Sequence, residues 1–233
     1  MNSYIQKDKY QKDKFYVAVD CIIFGFNKGR LKLLVFNRKI DPFKGSLSLI
    51  GSFVNIGESV PDASERILEE FTGLKNIYTK ELKTYSTVDR DPAYRCISVA
   101  QYALIRINNT IEQIVDDNGA KWFDVDETPQ LILDHNQMAV DALRRIEEMA
   151  RYKPIGFELL PEKFTIPQLQ KLYEAIYRRN LDPRNFRKKI LSFDLIIKLD
   201  EKDKTTSKKG AFLYKFDYQK YKKFQESGYN FEI

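Results

Sequence analysis

Ile67, Glu70 and Phe71 decide what chemistry the first part of this 233-residue chain can do. Spaced i, i+3 and i+4, they share one face of a helix. Carboxylates at all three positions would form a hard oxygen cage for Mg²⁺ and hold the ion against a pyrophosphate. This chain keeps a carboxylate at one of them only. A single carboxylate neither neutralises a divalent ion nor fixes its geometry. No catalytic residue, no metal site and no other cofactor are therefore expected, and a binding role is. The helix itself is expected from about Ser59 to Thr72, closed by Gly73 as a left-handed cap.

The elements that must position this helix read as α/β. Residues 15–26 form a run rich in β-branched and aromatic residues and are expected as a strand. Residues 27–30 read as a turn, and 31–36 as the second arm of a hairpin. Residues 47–54 lead into the helix. Further strands are expected at 82–88, 96–107 and 120–125. A helix follows over 136–151, with Ala139, Leu143 and Ile146 on its apolar stripe. Asp134 is placed to cap it, and His135 reads as a packed or capping residue in preference to the alternative, an effector ligand.

Composition excludes several classes. The 43% hydrophobic content supports a core, and no run of 18 apolar residues exists, so no membrane partner is expected. The polar, charged N-terminus does not read as a secretory signal. Cys21 and Cys96 lie in apolar runs and are expected as buried thiols of a cytoplasmic protein. With one histidine and no Cys/His cluster, a zinc site is not expected. The net charge of +6 is uneven: residues 152–233 hold 18 Lys and Arg against 11 Asp and Glu, while residues 1–151 hold 21 against 22. Basic charge confined to one part is the footprint of a polyanion binder.

That basic part changes character after a Pro- and Gly-containing linker at 152–156. Thr165 and Gln168 make a capping box with Pro167 in the first turn. The helix they start buries Leu169, Leu172, Tyr173 and Ile176 and ends near Arg178. Asp182 caps a second helix over 183–191, with Pro183 at its first position. Two helices joined by a short turn have helix-turn-helix spacing. On the second, Phe186 and Ile190 point inward, and Arg184, Asn185, Arg187, Lys188 and Lys189 point outward, as a recognition helix requires. Residues 195–199 and 211–216 read as the strands of a wing. The polar loop 200–210 between them carries Lys208 and Lys209 at its tip, placed to clamp a phosphate backbone. The tail from 217 to 228 reads as a short basic helix.

Gly51 to Leu74 resembles the Nudix box, the loop-helix signature of hydrolases that cleave nucleoside diphosphates linked to another group. Counting back from Gly73, Arg66, Leu68, Glu70 and Glu58 fall on family positions. Ser52 stands where the box glycine belongs, with Gly51 just before it, and Ile67 and Phe71 replace two of the three helix glutamates. Together with the stretches 157–165, 169–176 and 185–190, the chain resembles Nudix-related transcriptional regulators of the NrtR type over nearly its full length. The resemblance implies an α/β/α Nudix-like sandwich with a mixed sheet over residues 1–153. A winged helix-turn-helix of α+β type follows over 154–233. It further implies a homodimer that binds a palindromic operator in double-stranded DNA and responds to a small effector. Family effectors include ADP-ribose and pentoses. With only Glu70 left on the metal face, a neutral pentose such as L-arabinose is the preferred expectation over ADP-ribose. Arg38, Ser52 and Glu70, by their closeness to the degenerate box, are the candidate effector contacts. The competing expectation is an active hydrolase using Glu58 and Glu70.

Overall fold

The structure is a computed structural model and describes residues 14–205 and 209–226. Its centre is β1 (Tyr16–Asn27), in which alternate side chains face opposite sides of a sheet. Val19, Cys21 and Ile23 face one helical layer, and Ile22, Phe24 and Phe26 the other. Three strands pair directly with β1. β2 (Arg30–Asn37) returns antiparallel through the expected turn, and β4 (Ile50–Phe53) pairs antiparallel with the start of β1. β6 (Cys96–Arg106) runs parallel to it from Tyr16↔Cys96 to Phe26↔Arg106. The short β3 (Leu47–Ser48) and β7 (Ala120–Asp124) pair with β2, and β5 (Lys80–Tyr85) pairs with β6. The sheet is therefore mixed and seven-stranded.

Helix α1 (Val60–Thr72) covers one face. Ser59 starts it through a capping box with Asp62, and Gly73, at φ 71°, ends it. Helix α3 (His135–Tyr152) covers the other face with Met138, Ala142, Leu143 and Ile146. Between β6 and β7 lies α2 (Asn109–Asp117), a helix absent from the sequence reading. Two boundaries also moved. The strand expected at 82–88 starts at Lys80 and stops at Tyr85, because its pairing with β6 runs from Lys80↔Tyr102 to Tyr85↔Ser98. The wing loop expected from 200 is shorter, since strand pairing extends to Asp203.

The second part carries α4 (Ile166–Tyr177), α5 (Pro183–Ser192) and a small antiparallel sheet. That sheet is ordered β8 (Phe164–Thr165), β10 (Ala211–Phe216), β9 (Ile196–Asp203). The basic tail forms α6 (Tyr218–Glu226). The expected linker is packed rather than loose: Pro154, Gly156 and Phe157 are buried. Gly156 has φ 86°, and a Cβ there would lie 3.0 Å from Leu172. Phe157 stacks on Phe216 with ring centroids 4.1 Å apart, so one apolar core runs from the sheet through α3 into α4 and α5. Cys21 and Cys96 are buried free thiols, and burial pushes Cys21 up to about 12. Among the described residues no helix is long and apolar enough to cross a membrane.

Candidate effector pocket and nucleic-acid interface

The loop-helix segment is braced by one arginine. Arg66 donates to both oxygens of Glu58, at 2.9 and 2.6 Å, to the Phe53 carbonyl at 2.9 Å and to Glu70 at 3.4 Å. The Asn55 amide adds a bond to Glu58 at 2.7 Å. These donors, Arg66 first, hold the Glu58 carboxyl down to about 2. The brace therefore stabilises the loop above the ordinary carboxylate value of 4.5 and is lost as pH falls from there through about 2. Thermal unfolding scanned from pH 6 to pH 2.5 is expected to fall more steeply for the wild type than for Glu58→Gln. Parallel curves would show that the brace contributes nothing.

This geometry does not fit a divalent ion. Glu58 is spent on Arg66, and Arg66 also draws on Glu70. Ile67 is fully buried among Val19, Ile23, Ala63 and Leu68, and Phe71 packs edge-on against Phe36 at 5.3 Å. The face expected to be shared by residues 67, 70 and 71 is thus split: Ile67 belongs to the core, while Glu70 is exposed. Among the described residues no group of three or more His, Cys, Asp or Glu side chains is arranged to hold a metal.

Beside the box opens a cavity of about 450 Å³. The structure brings Arg38, Ser52 and Glu70 together on its wall, with Lys39 and the apolar faces of Phe36, Phe53 and Phe71. Sequence reasoning missed its floor, which is made by Asp20, Arg90 and His135. Arg90, itself buried, donates to Asp134 at 2.8 and 3.0 Å and to Asp20 at 3.4 Å. Asp134 therefore does not cap α3 as expected: its carboxylate is taken by Arg90 and makes no cap bond. His135 is packed, as read. Its Nδ1 accepts from the Leu49 amide at 3.0 Å, and burial lowers its pKa against the pull of Asp20 and Asp134. The available sequence signal was Asp20 itself, a carboxylate inside an apolar strand.

The second site is α5. Asp182 accepts from the Asn185 amide at 2.8 Å and sets the start of the helix. Phe186 and Ile190 are buried, with Phe186 5.8 Å from the Tyr173 ring of α4. Arg184, Asn185, Arg187, Lys188 and Lys189 are all exposed. On the wing, Lys198 and Lys202 flank the Phe212 ring at 3.8 and 4.5 Å. Lys209 is exposed at the wing tip, and Lys208 lies outside the described residues.

Two family profiles match the chain. The NUDIX domain covers residues 14–145, and the NrtR DNA-binding winged helix domain covers residues 156–216. Over 220 residues the chain is 29% identical to the "ADPR responsive transcriptional repressor NtrR" of Acinetobacter baylyi, covering 91% of this chain and 88% of that protein. It is 37% identical to the ADP-ribose pyrophosphatase of Methanocaldococcus jannaschii over 144 residues, 60% of this chain and 82% of the relative. Among solved structures it resembles Shewanella oneidensis NrtR complexed with a 27mer DNA, at TM-score 0.74 and 27% identity, covering 86% of this chain and 93% of that one. The Nudix domain of the same Shewanella protein, solved with ADP ribose, matches at TM-score 0.51 and 27% identity, covering 61% and 94%.

Proposed function

The chain belongs to the Nudix family, fused to an NrtR-type winged helix DNA-binding domain, and from that premise we propose that it is a repressor that senses ADP-ribose without hydrolysing it. The observation that carries the reading is the pairing of two features in one chain: a box whose metal-binding positions are closed by Ile67, Phe71 and the Glu58–Arg66 brace, and an exposed basic α5. In this reading residues 1–153 sense and residues 154–233 bind DNA.

The relatives redirect the effector from the pentose expected above to ADP-ribose. The cavity supports the change. Its volume of about 450 Å³ lies within the usual range of roughly 300–1,000 Å³ for ligand pockets. Arg38 and Lys39 can meet a pyrophosphate without a metal, so the missing carboxylates do not exclude one. Phe36, Phe53 and Phe71 line the same cavity and give it an apolar side for a base.

Two copies acting on a palindromic operator place their α5 helices about one DNA turn, roughly 34–36 Å, apart. Effector binding favours one arrangement of the dimer and shifts its population. Helix α3 is suited to carry that shift. It begins at the cavity floor with His135, and further along Glu147 pairs with Arg178, at the end of α4, at 3.3 Å. Lys209→Ala is expected to weaken binding to operator and random DNA by the same factor and to flatten the salt dependence by about one counterion. A loss confined to the operator would mean that Lys209 reads bases.

The pyrophosphatase relative favours a second reading, a hydrolase with a DNA-binding extension. Calorimetry and product analysis with Mg²⁺ separate the two. The sensor reading expects ADP-ribose to bind unchanged and L-arabinose to give no heat. Metal-dependent turnover that Glu70→Gln abolishes would replace it with the hydrolase.

A further inference from the structure

The cavity floor holds a hydrogen-bonding pair that the protein leaves open. Asp20 is 95% buried on the strand face that otherwise carries Ala18 and Ile22, since its relative exposure is 5%. Its Oδ2 accepts from Ser98 Oγ at 2.6 Å and from Arg90 Nη2 at 3.4 Å. Its Oδ1 accepts from no donor among the described residues, and His135 Nε2 stands 3.6 Å from it. Because His135 Nδ1 accepts from the Leu49 amide, the proton of the neutral ring sits on Nε2. This acceptor and this donor therefore face each other across 3.6 Å at the cavity, too far apart for a full hydrogen bond with one another.

The backbone keeps this oxygen uncovered. Gly51 is the strand partner of Asp20, and a Cβ there would lie 2.1 Å from Oδ1. Any other residue at 51 would displace the carboxylate or cover it. Leu49, two residues earlier, fixes the histidine tautomer. The β3–β4 segment thus sets both halves of the pair.

We infer that Asp20 and His135 form a hydroxyl-reading subsite in which a ribose hydroxyl of the effector donates to Asp20 Oδ1 and accepts from His135 Nε2. A hydroxyl does both at a single atom. A phosphate oxygen would be repelled by the carboxylate, and an ammonium would leave the histidine donor unpaired. The inference rests on the ADP-ribose reading and deepens it: cations at the rim hold the pyrophosphate, and the floor decides which sugar is accepted.

The test is a ligand-by-variant cycle read by calorimetry. ADP-ribose is compared with analogues lacking hydroxyls on the terminal ribose or on the adenosine ribose, against wild type, Asp20→Asn and His135→Gln. For one of the two sugars, hydroxyl removal is expected to weaken wild-type binding about 10- to 100-fold, as for a hydrogen bond to a charged, buried group. The same removal should cost Asp20→Asn clearly less than it costs the wild type, because the charged acceptor is gone while the His135 donor remains, and which sugar responds identifies the one on the floor. A purely structural role for Asp20 would weaken all ligands by one factor, and that result overturns the subsite. So does a wild type that binds every analogue as tightly as ADP-ribose; in either case ADP-ribose sensing stands. The wild-type series needs no variant to fold. If the wild type binds none of these ligands, the sensing reading and the subsite fall together.

Discussion

A chain with Arg184, Arg187 and Lys188 all changed to alanine is expected to bind its operator no better than random DNA. All three side chains project from the exposed face of α5. Arg184 lies in the first turn, where a recognition helix meets base edges. An arginine reading guanine is worth about 1–3 kcal/mol of discrimination, and a lysine on phosphate adds affinity without sequence preference. Two such arginines correspond to a loss of about 2–6 kcal/mol, or roughly 30-fold to 10⁴-fold in affinity. The helix survives the change. Alanine favours helix, the Asp182 cap is untouched, and the buried Phe186 and Ile190 are kept. Fluorescence anisotropy at fixed salt, with thermal unfolding as the check on folding, measures this. Operator affinity within threefold of wild type would remove α5 from the interface.

Ile67→Glu, which restores a family glutamate to the box, is expected to destabilise the protein by roughly 3–5 kcal/mol near neutral pH, where the buried carboxyl must either stay charged without a partner or take up a proton, and to create no hydrolase. Ile67 is fully buried between α1 and the sheet, among Val19 and Ile23 of β1. A carboxyl there stays protonated above its ordinary value of about 4.3. With its folded pKa raised, stability is best preserved below that value and is lost as pH rises through the folded pKa. Urea denaturation of variant and wild type at pH 5 and pH 7.5 should show the larger gap at pH 7.5. A cost under about 1 kcal/mol at both pH values would mean that this helix face can turn outward.

What could be read from the sequence was local. The Thr165–Gln168 box and the Asp182–Pro183 start involve residues within three positions of one another, and the structure shows both caps. The alternation in β1 and the stripe of α3 follow from period alone. Asp134 shows where that logic stops. An Asp before a helix reads as a cap, but Arg90, far away in sequence, claims its carboxylate. Helix α2 escaped because its nine residues bury only Val115 and its signal is one Asn108 cap, which accepts from the Ile111 amide at 2.8 Å. The cavity floor was the least legible. Asp20, Arg90, Ser98 and His135 come from four separate segments: the pairing of β1 with β6 brings Asp20 to Ser98, and Arg90 reaches them from the segment before β6 and His135 from the start of α3. Arg38, Ser52 and Glu70 were chosen for their closeness to the box; the structure places them on the cavity wall, and effector binding is the test of their role.

The central claim is one chain that grips DNA and lets go for ADP-ribose. The most direct measurement is anisotropy of the wild-type protein on DNA from upstream of its own gene, titrated at two salt concentrations with ADP-ribose and with L-arabinose. The account predicts sequence-specific, salt-sensitive binding that ADP-ribose releases and L-arabinose leaves intact. Binding no tighter than to random DNA, or an operator complex indifferent to ADP-ribose, would contradict it.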